Sequence, residues 1–199
     1  MKDILLGKPE SKIEFKPKVF ECMRSKMELC SLDGRLDKPF WAQTRFSEEF
    51  EDILWNKNSK KPYKSTRVKM LYDDEAMYIG AYLHDDRLWA TTSDGNVAAT
   101  TDNGFEIFLD PDGDGHNYHS VTVTPLNTLC NVIMTKPPRN GGETVPAPLR
   151  DDGVQTAVHI DGNLNDPSSM PLNRGWSVEI RIPWRFIVGE NTHLSDEKG

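Results

Sequence analysis

Apolar and polar residues alternate with a period of two through most of the body of the chain. From Thr66 onward Val68, Met70 and Tyr72 alternate with Arg67, Lys69 and Leu71, and Met77, Ile79, Ala81 and Leu83 share one face of the next run. Asp73, Asp74 and Glu75 between them read as a hairpin turn. The same period returns in Phe105, Ile107 and Leu109, with Glu106 and Phe108 on the opposite face, in Val121 and Val123, and after a turn in 129–134. Two later runs complete the set. They are Val154, Thr156, Val158 and Ile160, then Trp176, Val178, Ile180 and Ile182 with Ser177, Glu179 and Arg181 facing outward. Short strands separated by Gly, Pro, Asp and Asn clusters predict an all-β fold, an antiparallel sandwich or barrel.

Only two stretches carry a helical signal: 47–54, with Phe46, Phe50, Ile53 and Leu54 at helical spacing behind a Ser47 cap, and the few residues after Pro183. Neither is long enough to cover a sheet. The connections 91–103 and 136–152 are rich in Gly, Pro and Asn, and a ligand site is expected among such loops. Residues 1–30 mix charge and apolar side chains without a clean period and read as an extended leader lying against the main body.

Composition adds three constraints. A length of 199 residues fits one domain, and 13 prolines with 14 glycines supply the turns that many short strands need. The formal net charge of -7 repels phosphate backbones, and Lys57, Lys60, Lys61 and Lys64 scatter through one polar loop rather than forming a stripe, so nucleic acid is not an expected partner. Apolar runs are too short to span a bilayer, and the first ten residues lack the apolar stretch of a secretory signal. Cys22, Cys30 and Cys130 have no CxxC spacing, which argues against zinc and for free buried thiols.

Four strings then resemble a known family in order. Leu32-Asp33-Gly34-Arg35-Leu36-Asp37-Lys38-Pro39-Phe40-Trp41 is similar to the "DG.LD..W" opening of carbohydrate-binding modules of family 9, and Leu71-Tyr72-Asp73-Asp74-Glu75-Ala76-Met77-Tyr78 to their "LYDDEALY" hairpin. Phe105-Glu106-Ile107-Phe108-Leu109-Asp110-Pro111-Asp112-Gly113-Asp114-Gly115 resembles "FEVFLDPDGDG", and Gly175-Trp176-Ser177-Val178-Glu179-Ile180-Arg181-Ile182-Pro183-Trp184 resembles "GW.VEIAIPW". The resemblance spans 31–187 and implies a jelly-roll-like β-sandwich related to the DOMON group, non-catalytic sugar binding between two aromatic rings, structural calcium, and a partnership with secreted glycoside hydrolases. The chain departs from the pattern at the first ring, where 100–103 carry Thr, Thr, Asp and Asn and Trp89 is the nearest substitute. The second ring of the family belongs to a segment after the "IPW" strand, so a truncated product is the expectation for a chain ending at Gly199.

An aromatic ring suits sugar because the C–H face of a pyranose packs on it while the hydroxyls need polar partners around the edge. Trp89, after His84-Asp85-Asp86-Arg87 at a strand end, reads either as that platform or as core; Trp41, Trp176 and Trp184 read as packing, and Trp55 is open. Glu106 reads as the family's hydroxyl acceptor or as a solvated residue paired with Arg181. Asn127, Lys136 and Arg139 complete the sugar-binding candidates. Asp110, Asp112 and Asp114 before a glycine turn read as the start of a calcium loop or as a charged hairpin tip, since Val121 stands where a bidentate glutamate belongs. Asp73, Asp74 and Asp85 form another oxygen-rich site only if folding unites them.

His84, His116, His119, His159 and His193 show no metal spacing, and no GxSxG elbow or phosphate loop is present. Two alternatives to sugar binding remain. One is a glycosidase using Glu106 and Glu179 as its carboxylate pair. The other is a haem-binding electron-transfer domain drawing on Met70, Met77, Met134 and His159. Localisation stays open: the family is secreted, while this N-terminus shows no signal.

Overall fold

The computed structural model describes residues 19–29, 31–51, 64–95, 101–147, 153–169 and 172–188. The start of the leader, Cys30, Trp55 and most of the tail lie outside them. Among the described residues nine strands form two sheets, and two short α-helices flank the first of them. The strands are β1 (Met23–Arg24), β2 (Thr66–Tyr72), β3 (Ala76–His84), β4 (Phe105–Leu109), β5 (Tyr118–Val123), β6 (Leu129–Met134), β7 (Thr144–Pro146), β8 (Gln155–Asp161) and β9 (Gly175–Pro183). The helices are α1 (Pro39–Ala42) and α2 (Trp184–Val188). The first sheet has the order β1-β2-β3-β9-β8 and the second β4-β5-β6-β7, antiparallel throughout except for the parallel β1–β2 pairing. This is an all-β sandwich, one of the two folds the alternation allows and the one the family resemblance implies.

The period of two decides what lies between the sheets. Ile79, Ala81, Trp176, Val178, Ile180 and Ile182 of the first sheet meet Phe105, Val121 and Val123 of the second in one core, with Met70 and Met77 packed against it. The β2–β3 hairpin closes where expected, its Asp73 carboxylate accepting the backbone N–H groups of Glu75 and Ala76 at 2.8 and 2.9 Å and the Tyr78 hydroxyl at 2.7 Å. Burial pushes the Asp73 pKa up, but those hydrogen bonds outweigh it and hold the carboxyl below its ordinary range.

Four local expectations are corrected. The stretch after Ser47 is not helical as far as Glu51: the Ser47 N–H donates to the Val68 carbonyl at 2.8 Å, its hydroxyl accepts from Val68 N–H at 3.1 Å, and Phe50 N–H reaches Thr66 O at 3.0 Å. Unpaired edge groups of β2 compete for the same residues that a helix would use, and the edge prevails. The helical turn after Pro183 is present as α2. In β2, Leu71 belongs to the polar parity yet is fully buried, because α1 covers that face. Within 136–152, read as loop, β7 adds an edge strand to β6.

The fourth correction concerns Glu179. It points away from the inter-sheet core as the pattern requires, but its side chain has no exposed surface. The 31–46 segment arches over the outer face of the first sheet and converges on this carboxylate. Asp33 and Gly34 N–H groups donate to Oε2 at 2.8 Å each, the Trp41 indole N–H to Oε1 at 2.7 Å, and Lys38 Nζ to both oxygens at 2.8 and 2.7 Å. The same ammonium shares its three N–H groups with Ser31 O at 2.6 Å and Asp33 Oδ1 at 2.7 Å. Burial lowers the Lys38 pKa, but the two carboxylates prevail and raise it. Gly34 adopts φ +82 and lies so close to β8 that a Cβ would stand 2.3 Å from His159 N, which excludes other side chains there. The "DG.LD..W" string is therefore a structural clasp around one glutamate.

Candidate functional site

The outer face of the second sheet carries no comparable arch among the described residues. Here the polar parity of β4 and β5 brings Glu106, Phe108, Tyr118, Ser120 and Thr122 to one surface, joined by Cys130 of β6. Ser120, Thr122 and Cys130 are buried and form a floor, whereas Glu106 and Phe108 on the edge strand β4 are exposed. The Ser120 hydroxyl donates to Glu106 Oε1 at 2.5 Å, which holds the carboxylate in place. Its Oε2 has no protein partner among the described residues, so it remains available as an acceptor.

Arg181, the expected partner of Glu106, instead pairs with Glu75 at 2.8 Å on the first sheet. The carboxylate pair also fails as a catalytic device. Glu106 belongs to one sheet and Glu179 to the other, and Glu179 is sealed under the clasp, where no substrate can reach it.

Trp89 lies in the segment after β3 and is 48% exposed, while its neighbours Leu88 and Ala90 are buried. The segment is anchored on both sides of the ring. Asn165 Oδ1 accepts Ala90 N–H at 2.9 Å, Asp102 Oδ2 accepts the N–H groups of Thr91 and Thr92 at 2.9 and 2.8 Å, and the Asn103 amide donates to Asp85 Oδ2 at 3.1 Å. Asp102 and Asn103 directly precede β4, so Trp89 is tied to the end of the strand that begins one residue before Glu106. The Thr128 hydroxyl also holds Thr92 O at 2.9 Å, linking the segment to the β5–β6 turn.

The other three candidates do not converge. Asn127 adopts φ 60 in the β5–β6 turn and aims its amide at Thr156 O of β8, 3.3 Å away, towards the first sheet. Lys136 and Arg139 sit in the β6–β7 connection beyond the other end of β5. Six strand residues, about 17–20 Å, lie between these two positions.

Asp110, Asp112 and Asp114 bring one carboxylate oxygen each within 4.8 Å of one another at the exposed β4–β5 turn. Asp110 also accepts Gly113 and Gly115 N–H groups at 3.2 and 2.9 Å, and Asp114 accepts His116 N–H at 2.7 Å. Three hard oxygen donors with lone pairs to spare fit calcium rather than a soft metal. Asp73 and Asp85, by contrast, are held at opposite ends of β3; Asp85 contacts Lys64, and burial of that lysine is outweighed by Asp85 and Asp86, which raise its pKa. No oxygen-rich site unites them. The four haem candidates are dispersed as well: Met70 and Met77 fill the core, Met134 accepts a Thr144 hydroxyl at 3.4 Å on the second sheet, and His159 lies on the outer side of β8. Cys22 and Cys130 are free thiols, both pushed up in pKa by burial.

Sequence reasoning singled out Glu106 but missed Ser120 and Thr122. Their signal was present, since Ser120, Thr122 and Thr124 form a polar parity against Val121 and Val123.

A two-sheet β-sandwich with one face clasped and the other exposing a pre-oriented carboxylate beside aromatic rings belongs to the class of small binding modules. The comparisons give the family. A family model described as "Carbohydrate family 9 binding domain-like" matches residues 32–137, more than half of the chain, and the chain belongs to that family. Among solved structures it is similar to a candidate carbohydrate-binding protein from Bacteroides uniformis ATCC 8492, at 15% identity and a TM-score of 0.56, covering 86% of this chain and 75% of that one. It is also similar to a carbohydrate binding module family 9 from Caldicellulosiruptor kristjanssonii. The glucose complex gives 19% identity and a TM-score of 0.50, covering 81% of this chain and 67% of that one. The cellotriose complex gives 20% and 0.49, covering 81% and 66%. At these identities the likeness is one of fold. No match was found among curated proteins.

Proposed function

We propose that this domain is a non-catalytic carbohydrate-binding module whose ligand lies on the outer face of the second sheet. The observation that carries the reading is Glu106: a carboxylate fixed by Ser120 through one oxygen, with no partner for the other among the described residues. Such an acceptor binds a sugar hydroxyl with little ordering cost. Trp89, anchored at the neighbouring strand end, supplies an apolar surface for the C–H face of the same sugar. Asn127 stands at one end of the sheet and Lys136 and Arg139 at the other, so only a ligand longer than one ring spans both.

Family membership supports this reading, and the sugars bound by the solved relatives, glucose and cellotriose, are the first to try. In the same reading Asp110, Asp112 and Asp114 hold a structural calcium ion that rigidifies the β4–β5 turn, and the module serves to hold glycan for a partner glycoside hydrolase in carbohydrate breakdown.

The test is calorimetric titration with gluco-, xylo-, manno- and galacto-oligosaccharides, beside pull-down on insoluble glycans. Affinity without sugar release is expected, weakened about tenfold or more by Trp89→Ala, in line with the loss of an aromatic contact. A wild-type protein that binds none of these glycans overturns the proposal.

A further inference from the structure

The family resemblance directs attention to Trp89, yet among the described residues the most exposed aromatic ring on the Glu106 face is another one. Phe108 is 56% exposed. It stands two residues from Glu106 at the same parity of β4, a separation of about 7 Å along a strand. The residues of the opposite parity, Phe105, Ile107 and Leu109, all turn into the core. Its cross-strand partner is Ser120, the residue that fixes Glu106, so ring and carboxylate are coupled through a single serine.

We propose that Phe108 is the stacking platform for a pyranose ring whose hydroxyl is held by Glu106, an assignment that rests on the sugar-binding reading above. Three features support it. An isolated apolar residue on a surface is ordinary, but this one borders a floor of buried small polar side chains and stands beside an acceptor that has no second partner among the described residues. The ring is also held: Tyr118 meets it in a T-shaped contact, centroids 5.9 Å apart at 73°, which limits the rotamer freedom that binding would otherwise remove. Finally, the pairing of an apolar ring with an open carboxylate matches a ligand that is apolar on one face and hydroxylated at its edge. A neutral sugar satisfies both groups, and it adds no charge to a chain that is already acidic.

The experiment compares wild type with Phe108→Ala, Phe108→Leu and Phe108→Tyr by titration with the best-binding oligosaccharide of the panel. Each variant is checked by thermal unfolding. Phe108→Ala and Phe108→Leu are expected to lose tenfold or more in affinity, because leucine keeps apolar bulk without a flat face, while Phe108→Tyr stays within about threefold. Chemical shifts of the Phe108 ring protons in the wild-type protein are expected to move on titration, a readout that does not depend on any variant folding. Wild-type binding with Phe108→Ala within twofold, rescue by leucine, or unmoved ring protons overturns this assignment and leaves the wider sugar-binding reading standing. A wild type that binds no sugar in the panel overturns both.

Discussion

Glu179 and Glu106 occupy equivalent parities, each on a strand and each pointing away from the core between the sheets, yet they live in opposite environments. Over Glu179 the chain lays the 31–46 arch, and two backbone N–H groups, an indole and an ammonium converge on a carboxylate without exposed surface. Over Glu106 no described segment closes, and a single serine holds one oxygen. The contrast shows that strand parity fixes direction only. Exposure, and with it function, depends on whether another part of the chain supplies donors to the group. A carboxylate with several fixed donors has its hydrogen-bonding capacity filled and becomes a structural node; one with a single donor keeps capacity for a ligand.

The comparison is broken most forcefully at its structural end. Glu179→Ala leaves the Trp41 indole and two backbone donors without their acceptor and removes the buried partner of the Lys38 ammonium, and a loss of about 3–5 kcal/mol in unfolding free energy is expected by denaturant titration. Lys38→Met tests the same node from its other side and falls in the same range of about 3–5 kcal/mol at neutral pH. Because the fold raises the Lys38 pKa, the contribution of its charge is complete below the ordinary lysine value of about 10.4 and fades as the pH climbs through the higher folded value. The stability gap between wild type and Lys38→Met therefore narrows above that pH, as unfolding midpoints between neutral and strongly alkaline buffers will register.

At the functional end the expected effects are smaller and of another kind. Glu106→Gln is expected to change stability by no more than about 0.5 kcal/mol, as for exposed positions, while sugar affinity falls about tenfold through loss of a charge-assisted hydrogen bond. Parallel melting and calorimetry separate the two, and a large stability loss would place Glu106 with Glu179 rather than opposite it. Smallest is the calcium effect. Millimolar calcium is expected to raise the melting midpoint by about 2–4 °C, with Asp112→Asn abolishing the shift in differential scanning fluorimetry.

Much of the fold was legible because burial on one face of a strand imposes a period of two. The core contributions of Ile79, Ala81, Val121, Val178 and Ile180 follow from that rule alone. The alternation could not distinguish a solvent face from a face covered by a distant segment, which is why Glu179 and Leu71 read as outward-facing positions of the pattern and proved fully buried. The helical spacing around Ser47 was real as a pattern but lost to the unpaired edge of β2, a partner invisible in local sequence. At the candidate site, Trp89 and Glu106 were found by type and resemblance. Asn127, Lys136 and Arg139 were grouped with them, although the fold sets them at separate ends of a sheet.

The sequence by itself determined the strands, the faces they turn to the core, and four motifs that resemble the family, since these depend on neighbours two residues away or on continuous strings. Tertiary structure alone decided which outward face the 31–46 segment covers. That choice depends on contacts between residues nearly 150 positions apart, such as the Asp33 N–H and Glu179, and local periodicity carries no information about them.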